Sequence, residues 1–172
     1  MSSSSKPFIP LSIAVLTVSD TRTTETDTSG GWLVETLSAA GHHLAEKLIL
    51  KDDKYKVRAA VANWIASDDV QVVLITGGTG FSARDVTPEA VSVLFDKSIE
   101  GFGEVFRSVS FDEIGSSTIQ SRALAGMANG TVVFCLPGST GACKTGWDLI
   151  KQQIDSTHKP CNFVAQLKSI GV

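Results

Sequence analysis

Three short, nearly unbroken apolar runs govern how this chain can fold: Leu11 to Val18, Val70 to Ile75 and Thr131 to Leu136. Each is rich in Val, Ile or Leu, has the length of a strand, and lacks the polar alternation of a half-exposed one. Strands of this kind are buried on both faces, and each run here ends in a loop rich in Gly, Ser or Thr. Segments with helical spacing lie between them. Trp32, Leu33, Leu37 and Ala40 predict a helix that Thr28 or Ser29 caps and Gly41 closes. Val57, Val61, Trp64 and Ile65 repeat at three- and four-residue steps within a second helix, Tyr55 to Ser67. His43 to Leu50 reads as a strand between those helices. Thr87-Pro88-Glu89 reads as N-cap, N1 and N2 of another helix, and Cys143 to Ile154 as the helix after the last core strand. This alternation predicts an α/β protein with a mostly parallel sheet covered on both faces.

A chain of 172 residues suits one domain, read here as 11–172 after a flexible segment 1–10 that opens with Ser2 to Ser5. Fifteen basic residues against 18 acidic ones give no positive field for nucleic acid, which excludes that class of partner. No apolar run approaches the ~20 residues that cross a bilayer, and Met1 to Pro10 lacks a signal-peptide core. The expectation is a cytoplasmic protein with no membrane partner. Cys135, Cys143 and Cys161 lack C-x-x-C spacing, and His42, His43 and His158 lack the i, i+4 spacing of a helical metal site. Free thiols and no structural transition metal are expected. Phe95, Phe102, Phe106 and Phe111 read as helix-packed core in preference to subunit anchors.

In open α/β sheets ligands bind beyond the carboxyl ends of the strands, and three loops fall there. Thr76-Gly77-Gly78-Thr79-Gly80 offers positive φ and close backbone approach to an anion, the properties of a phosphate cradle; a tight turn needs the same glycines. Within fourteen residues of its start follow the cation Arg84, the carboxylate Asp85 and the helix start Thr87-Pro88-Glu89. The glycine spacing matches neither G-x-G-x-x-G nor the P-loop. Leu136-Pro137-Gly138-Ser139-Thr140-Gly141 supplies N–H groups and hydroxyls and leads to Lys144; a connecting turn is its plainer reading. Thr17-Val18-Ser19-Asp20, then Arg22 and Asp27-Thr28-Ser29-Gly30, reach the same edge, as do Asp52 and Asp53.

Taken together these segments resemble the molybdenum cofactor biosynthesis proteins of the MoaB/Mog type, to which the G domains of plant and animal molybdopterin-inserting proteins are related. The resemblance runs from about Leu11 to Lys168. It is carried by Val18-Ser19-Asp20, Asp27-Thr28-Ser29-Gly30, Thr76 to Gly80, Arg84 to Glu89, Gly101-Phe102-Gly103-Glu104 and Leu136-Pro137-Gly138. Thr118-Ile119-Gln120-Ser121-Arg122 and Pro160-Cys161-Asn162-Phe163 are most similar to the bacterial B branch. The resemblance implies a three-layer α/β/α fold, a homotrimer or homohexamer, contact with other proteins of the pathway, and binding of molybdopterin. It also implies transfer of AMP from ATP to the terminal phosphate of molybdopterin.

On the same footing, Asp85 and Asp52 occupy the catalytic positions, with Lys51-Asp52-Asp53 standing where relatives have Pro-Asp-Glu, so that Asp53 is the other candidate. The implied substrate-binding set is Ser19, Asp20, Asp27, Gly30, Thr76 to Gly80 (Gly77, Gly78 and Thr79 included), Arg84, Thr87, Glu89, Pro137, Gly138, Ser139 and Lys144. Relatives often carry proline then lysine where this chain has Thr140 and Gly141. A phosphate monoester has a second pKa of about 6, so its attacking oxygen is already ionised at neutral pH and needs no general base. Asp52 and Asp85 are then expected to hold magnesium or position substrate, with magnesium assigned to Asp52. A molybdopterin carrier without catalysis, and a phosphometabolite-binding protein unrelated to pterins, stay open as alternatives.

Overall fold

The computed structural model describes residues 6–170, so the serine run falls outside the described residues. The central strands are β1 (Ser12–Val18), β3 (Val72–Thr76) and β6 (Thr131–Leu136), joined on the outside by β2 (His43–Leu50). The sheet runs β2-β1-β3-β6-β5-β4, where β4 is Lys97–Ser98 and β5 is Leu124–Ala128. The first four strands are parallel; β5 and β4 add an antiparallel edge.

The apolar runs are continuous because each strand feeds two cores. Ile13 and Val15 of β1, Leu74 of β3 and Phe134 of β6 pack on one face, against α1 (Thr28–Ala39), α4 (Glu100–Ile114) and α5 (Thr140–Gln153). Ala14, Leu16, Ile75 and Cys135 point the other way, against α2 (Lys54–Ala66) and α3 (Thr87–Val91). Period-two alternation of side chains thus separates two helical layers with one buried sheet between them. The result is the three-layer α/β/α architecture.

Several local expectations are corrected. Asp27, not Thr28 or Ser29, caps α1: its carboxylate accepts from the Gly30 N–H at 3.0 Å. Thr87 is already helical, and its hydroxyl donates to the Gly77 carbonyl at 2.8 Å instead of capping α3. Ser139 caps α5 by accepting from the Ala142 N–H, so that helix starts at Thr140, three residues before Cys143. Residues 6–10 also depart from the flexible reading. The Ser156 hydroxyl accepts from the Ile9 N–H and donates to the Pro7 carbonyl, while Phe8 packs on His42. Phe102 and Phe106 are core residues as expected, whereas Phe111 is 57% exposed.

Asp53 caps α2, accepting from the N–H groups of Tyr55 and Lys56 at 3.0 Å each. Asp53→Ala is therefore expected to destabilise the protein through loss of the cap. The check is a lower urea midpoint at unchanged slope.

Candidate functional site

The chain passes from β1 through α1 to β2 on one side, then through α2 to β3 on the other, so the sheet reverses its winding between β1 and β3. A cavity of about 550 Å³ opens at the carboxyl ends of those strands. Thr17, Val18 and Ser19 line it after β1, Thr76 to Gly80 with Asp85 after β3, and Pro137, Gly138 and Ser139 after β6. Asp52 enters from the end of β2. The far wall is α4 and the 3-10 turn Gly115–Gln120, through Phe106, Ser110, Glu113, Ile114, Ser117 and Gln120.

Glycine is required at the turn by both space and conformation. Gly77 and Gly78 have φ of +103° and +69°. A side chain at Gly77 would collide with the Val18 carbonyl, and one at Gly78 with the Thr87 hydroxyl. The Gly77 N–H is spent on the Leu136 carbonyl at 3.0 Å, and the carbonyls of Gly77 and Gly78 accept from the Thr87 hydroxyl and N–H. The N–H groups of Gly78 and Thr79 have no acceptor among the described residues. Ser29 of α1 and Gly141 and Ala142 of α5 also line the cavity, so two helix N-termini reach its rim. Free N–H groups and positive helix ends make this edge suited to an anion.

The carboxylates divide by their partners. Asp27 is buried, holds α1, accepts from Thr17 at 2.8 Å and pairs with Lys47 at 3.0 Å. Burial pushes its carboxyl up, but Thr17, Lys47 and Gly30 together hold it below its ordinary range. Asp20 takes both prongs of the Arg84 guanidinium, at 2.9 and 2.8 Å, and accepts from the Asp52 N–H at 3.2 Å. Asp85 accepts from the Ser82 N–H at 2.9 Å, and the Ser82 contact lowers its pKa. Asp52 is the exception. Burial first, then the charges of Asp20 and Asp85, raise its pKa, against the opposing pull of Arg84. With Asp53 engaged as a cap, Asp52 is the carboxylate presented to the glycine turn: a side chain at Gly78 would begin 3.2 Å from its Oδ1.

Of the expected substrate-binding residues, Ser19, Thr76, Gly77, Gly78, Thr79, Gly80, Pro137, Gly138 and Ser139 line the cavity together with Asp52 and Asp85. Asp20, Asp27, Gly30, Arg84, Thr87 and Glu89 do not; they brace the loops that do. Lys144 lies exposed a turn into α5, away from the cavity, because Ser139 starts that helix early. The cation on the lining is Arg22 instead. Sequence reasoning passed over Arg122 as a site residue. Its guanidinium donates to the carbonyls of Gly80 at 2.9 Å and Asp85 at 3.1 Å, pairs with Glu89, and lies 5.1 Å from the Phe81 ring centre. It also passed over Ser110 and Glu113, because no helix was expected at Glu100 to Ile114. An Arg or Glu in an unassigned segment carries no local sign of what it reaches.

No group of three or more His, Cys, Asp or Glu suited to a metal is found among the described residues. Magnesium asks for less: one or two carboxylates with the remaining positions filled by phosphate and water. The hard oxygens of Asp52 and Asp85 fit that requirement, and the raised pKa of Asp52 marks a place where added positive charge is favourable.

Comparison with known proteins follows the same lines. Residues 14–156 match the family described as "Probable molybdopterin binding domain". Molybdenum cofactor biosynthesis protein B of Escherichia coli K12 is 57% identical over 169 residues, 98% of this chain and 99% of that protein. Its namesake in Bacillus cereus is 52% identical over 131 residues, 76% of this chain and 78% of that protein. A crystal structure of a molybdenum cofactor biosynthesis protein B superposes with a TM-score of 0.84 at 47% identity, covering 87% of this chain and 94% of that one. The tungsten cofactor synthesizing protein MoaB from Pyrococcus furiosus superposes at 0.77 with 40% identity, over 84% and 92%.

The strain on Asp52 has a measurable sign. A carboxyl whose folded pKa lies above its unfolded value costs no stability below the unfolded pKa, and its full penalty appears above the folded one. Asp52→Asn is expected to raise the melting temperature at pH 7, with the gain fading as the pH falls through the raised folded pKa and gone below the ordinary value of 3.8. Thermal melts across that pH range check it.

Proposed function

This chain belongs to the molybdopterin-binding family of molybdenum cofactor biosynthesis proteins, and on that footing we propose that it binds molybdopterin and adenylylates it. The carrying observation is the turn at Gly77 and Gly78, with free N–H groups at Gly78 and Thr79, placed between Asp52 and Asp85. The terminal phosphate of molybdopterin lies on that turn, within reach of the N-termini of α1 and α5. An oxygen of this phosphate attacks the α-phosphorus of ATP; the new P–O bond forms as the bond to the β-phosphate breaks, and pyrophosphate leaves. No base is needed, because the attacking oxygen is ionised at neutral pH.

The protein's work is therefore alignment and control of charge. The cavity carries Asp52, Asp85 and Glu113 against Arg22, a balance unfavourable to a phosphate and a triphosphate together unless cations accompany them. Asp52 and Asp85 hold magnesium, which when bound neutralises the phosphate oxygens. Arg122 fixes the Gly80–Asp85 loop so that the Asp85 carboxylate stays on the cavity. Arg84 is held by Asp20 at the rim. The place of action is the cytoplasm, where ATP is supplied.

Val105, Val109, Phe111, Ile114 and Ile119 expose apolar surface along α4 and the turn after it. Such surface supports self-association, and the family reading makes it a homotrimer or homohexamer; sedimentation should return three or six times the 18.2 kDa chain mass, and a monomer would exclude it.

Incubation with molybdopterin, ATP and magnesium is expected to release pyrophosphate. Asp85→Asn should retain molybdopterin binding and lose about 100-fold or more in turnover. Gly78→Val should weaken binding itself, since its side chain collides with the Thr87 hydroxyl at a positive φ and displaces the turn that carries the free N–H groups. Binding without pyrophosphate would make the protein a carrier; nucleotide binding without pterin binding would exclude the pterin reading.

A further inference from the structure

Phosphate chemistry leaves one carboxylate of the cavity without a role. Asp52 and Asp85 flank the glycine turn, but Glu113 comes from α4 on the facing wall. A carboxylate in an anion-binding cavity repels its ligand unless the ligand brings donors to it. Glu113 makes no ion pair among the described residues. Its partner is the Thr145 hydroxyl, 3.0 Å from Oε1 and 2.8 Å from Oε2. Thr145 is buried, so it fixes the head group, and its single proton leaves most of the lone pairs of Glu113 free.

The surroundings describe what those lone pairs face. Phe106, 1% exposed, and Ile114 present apolar surface to the cavity. Ser110, 4% exposed, also lines it, and its hydroxyl makes no hydrogen bond among the described residues. Since no side-chain polar atom is both sealed off and unpaired among the described residues, the Ser110 hydroxyl opens onto the cavity, where it and the exposed Glu113 carboxylate form a polar pair able to meet a polar ligand. Apolar side chains beside it suit the faces of a flat ring.

We infer that Glu113 is a specificity-determining residue, accepting from two adjacent N–H donors on the edge of a flat heterocycle. In a pterin these are the 2-amino group and N3–H, which together mimic the fork of a guanidinium. Ser110 serves a neighbouring polar atom of the same ring. The assignment rests on the pterin reading above and deepens it: the glycine turn binds the phosphate, and Glu113 selects the ring.

Two probes separate the assignment from that reading. One is 6-hydroxymethylpterin phosphate; the other is the lumazine with the same phosphate arm, in which a carbonyl oxygen replaces the 2-amino group and turns a donor into an acceptor. By calorimetry the wild-type protein is expected to bind the pterin about tenfold or more tighter than the lumazine. Glu113→Gln, a change of an exposed side chain at constant size, should erase that preference while leaving the melting temperature unchanged. A preference that survives in Glu113→Gln overturns the assignment and leaves the pterin reading standing. Wild-type protein that binds neither probe overturns both.

Discussion

Burial of β1, β3 and β6 on both faces is the constraint on which the rest of the molecule depends. Parallel pairing of Ile13 to Thr17 with Val72 to Thr76, and of that strand with Val132 to Leu136, brings three strand ends to one edge. Because apolar side chains fill both sides, the backbone at that edge has nowhere to turn except outward into loops. Three loops separated by up to 120 residues of chain thereby share one rim. The site follows from the sheet: Gly77 must approach the Val18 carbonyl because β1 and β3 are neighbours, and only glycine fits there.

Charge organises the second level. Most acidic residues near the rim are committed to structure: Asp27 to α1 and Lys47, Asp53 to α2, Asp20 to Arg84 and Glu89 to Arg122. What remains on the cavity is a small set whose electrostatics are not internally balanced. Asp52 pays for this with a raised pKa, and Glu113 has only a hydroxyl for company. Such unbalanced groups in an otherwise well-paired fold mark where a ligand completes the network.

Legibility in the sequence tracked local information. The doubly buried strands, α2 and the glycine turn were readable because run length, helical spacing and glycine clustering are local properties. The choice of Asp27 over Thr28 or Ser29 as cap was not, since it depends on Thr17 and Lys47 meeting that carboxylate from other elements. α4 was missed because Gly101, Gly103, Ser108 and Ser110 weaken its helical signal, while packing of Phe102 and Phe106 on the sheet overrides it. β5 has few strand-forming residues, yet a signal was present. Asn129 and Gly130, with φ of 49° and 69°, form the two-residue turn into β6, and an Asn-Gly pair is a strong hairpin mark.

By itself the sequence determined the α/β class, the three central strands, the phosphate-suited turn and, through the company of its motifs, the family. Only the tertiary structure decided which carboxylate is available. Asp52 and Asp53 are indistinguishable as neighbours in a chain; they differ because α2 consumes one as its cap and the sheet edge leaves the other partly buried near Asp20 and Asp85. It also left Lys144 off the cavity lining, put Arg22, Ser110 and Glu113 on it, and set Arg122 to brace the Gly80–Asp85 loop behind it. The physical reason is the same in each case: availability is what remains of a polar group after its neighbours have been satisfied, and those neighbours are distant in sequence.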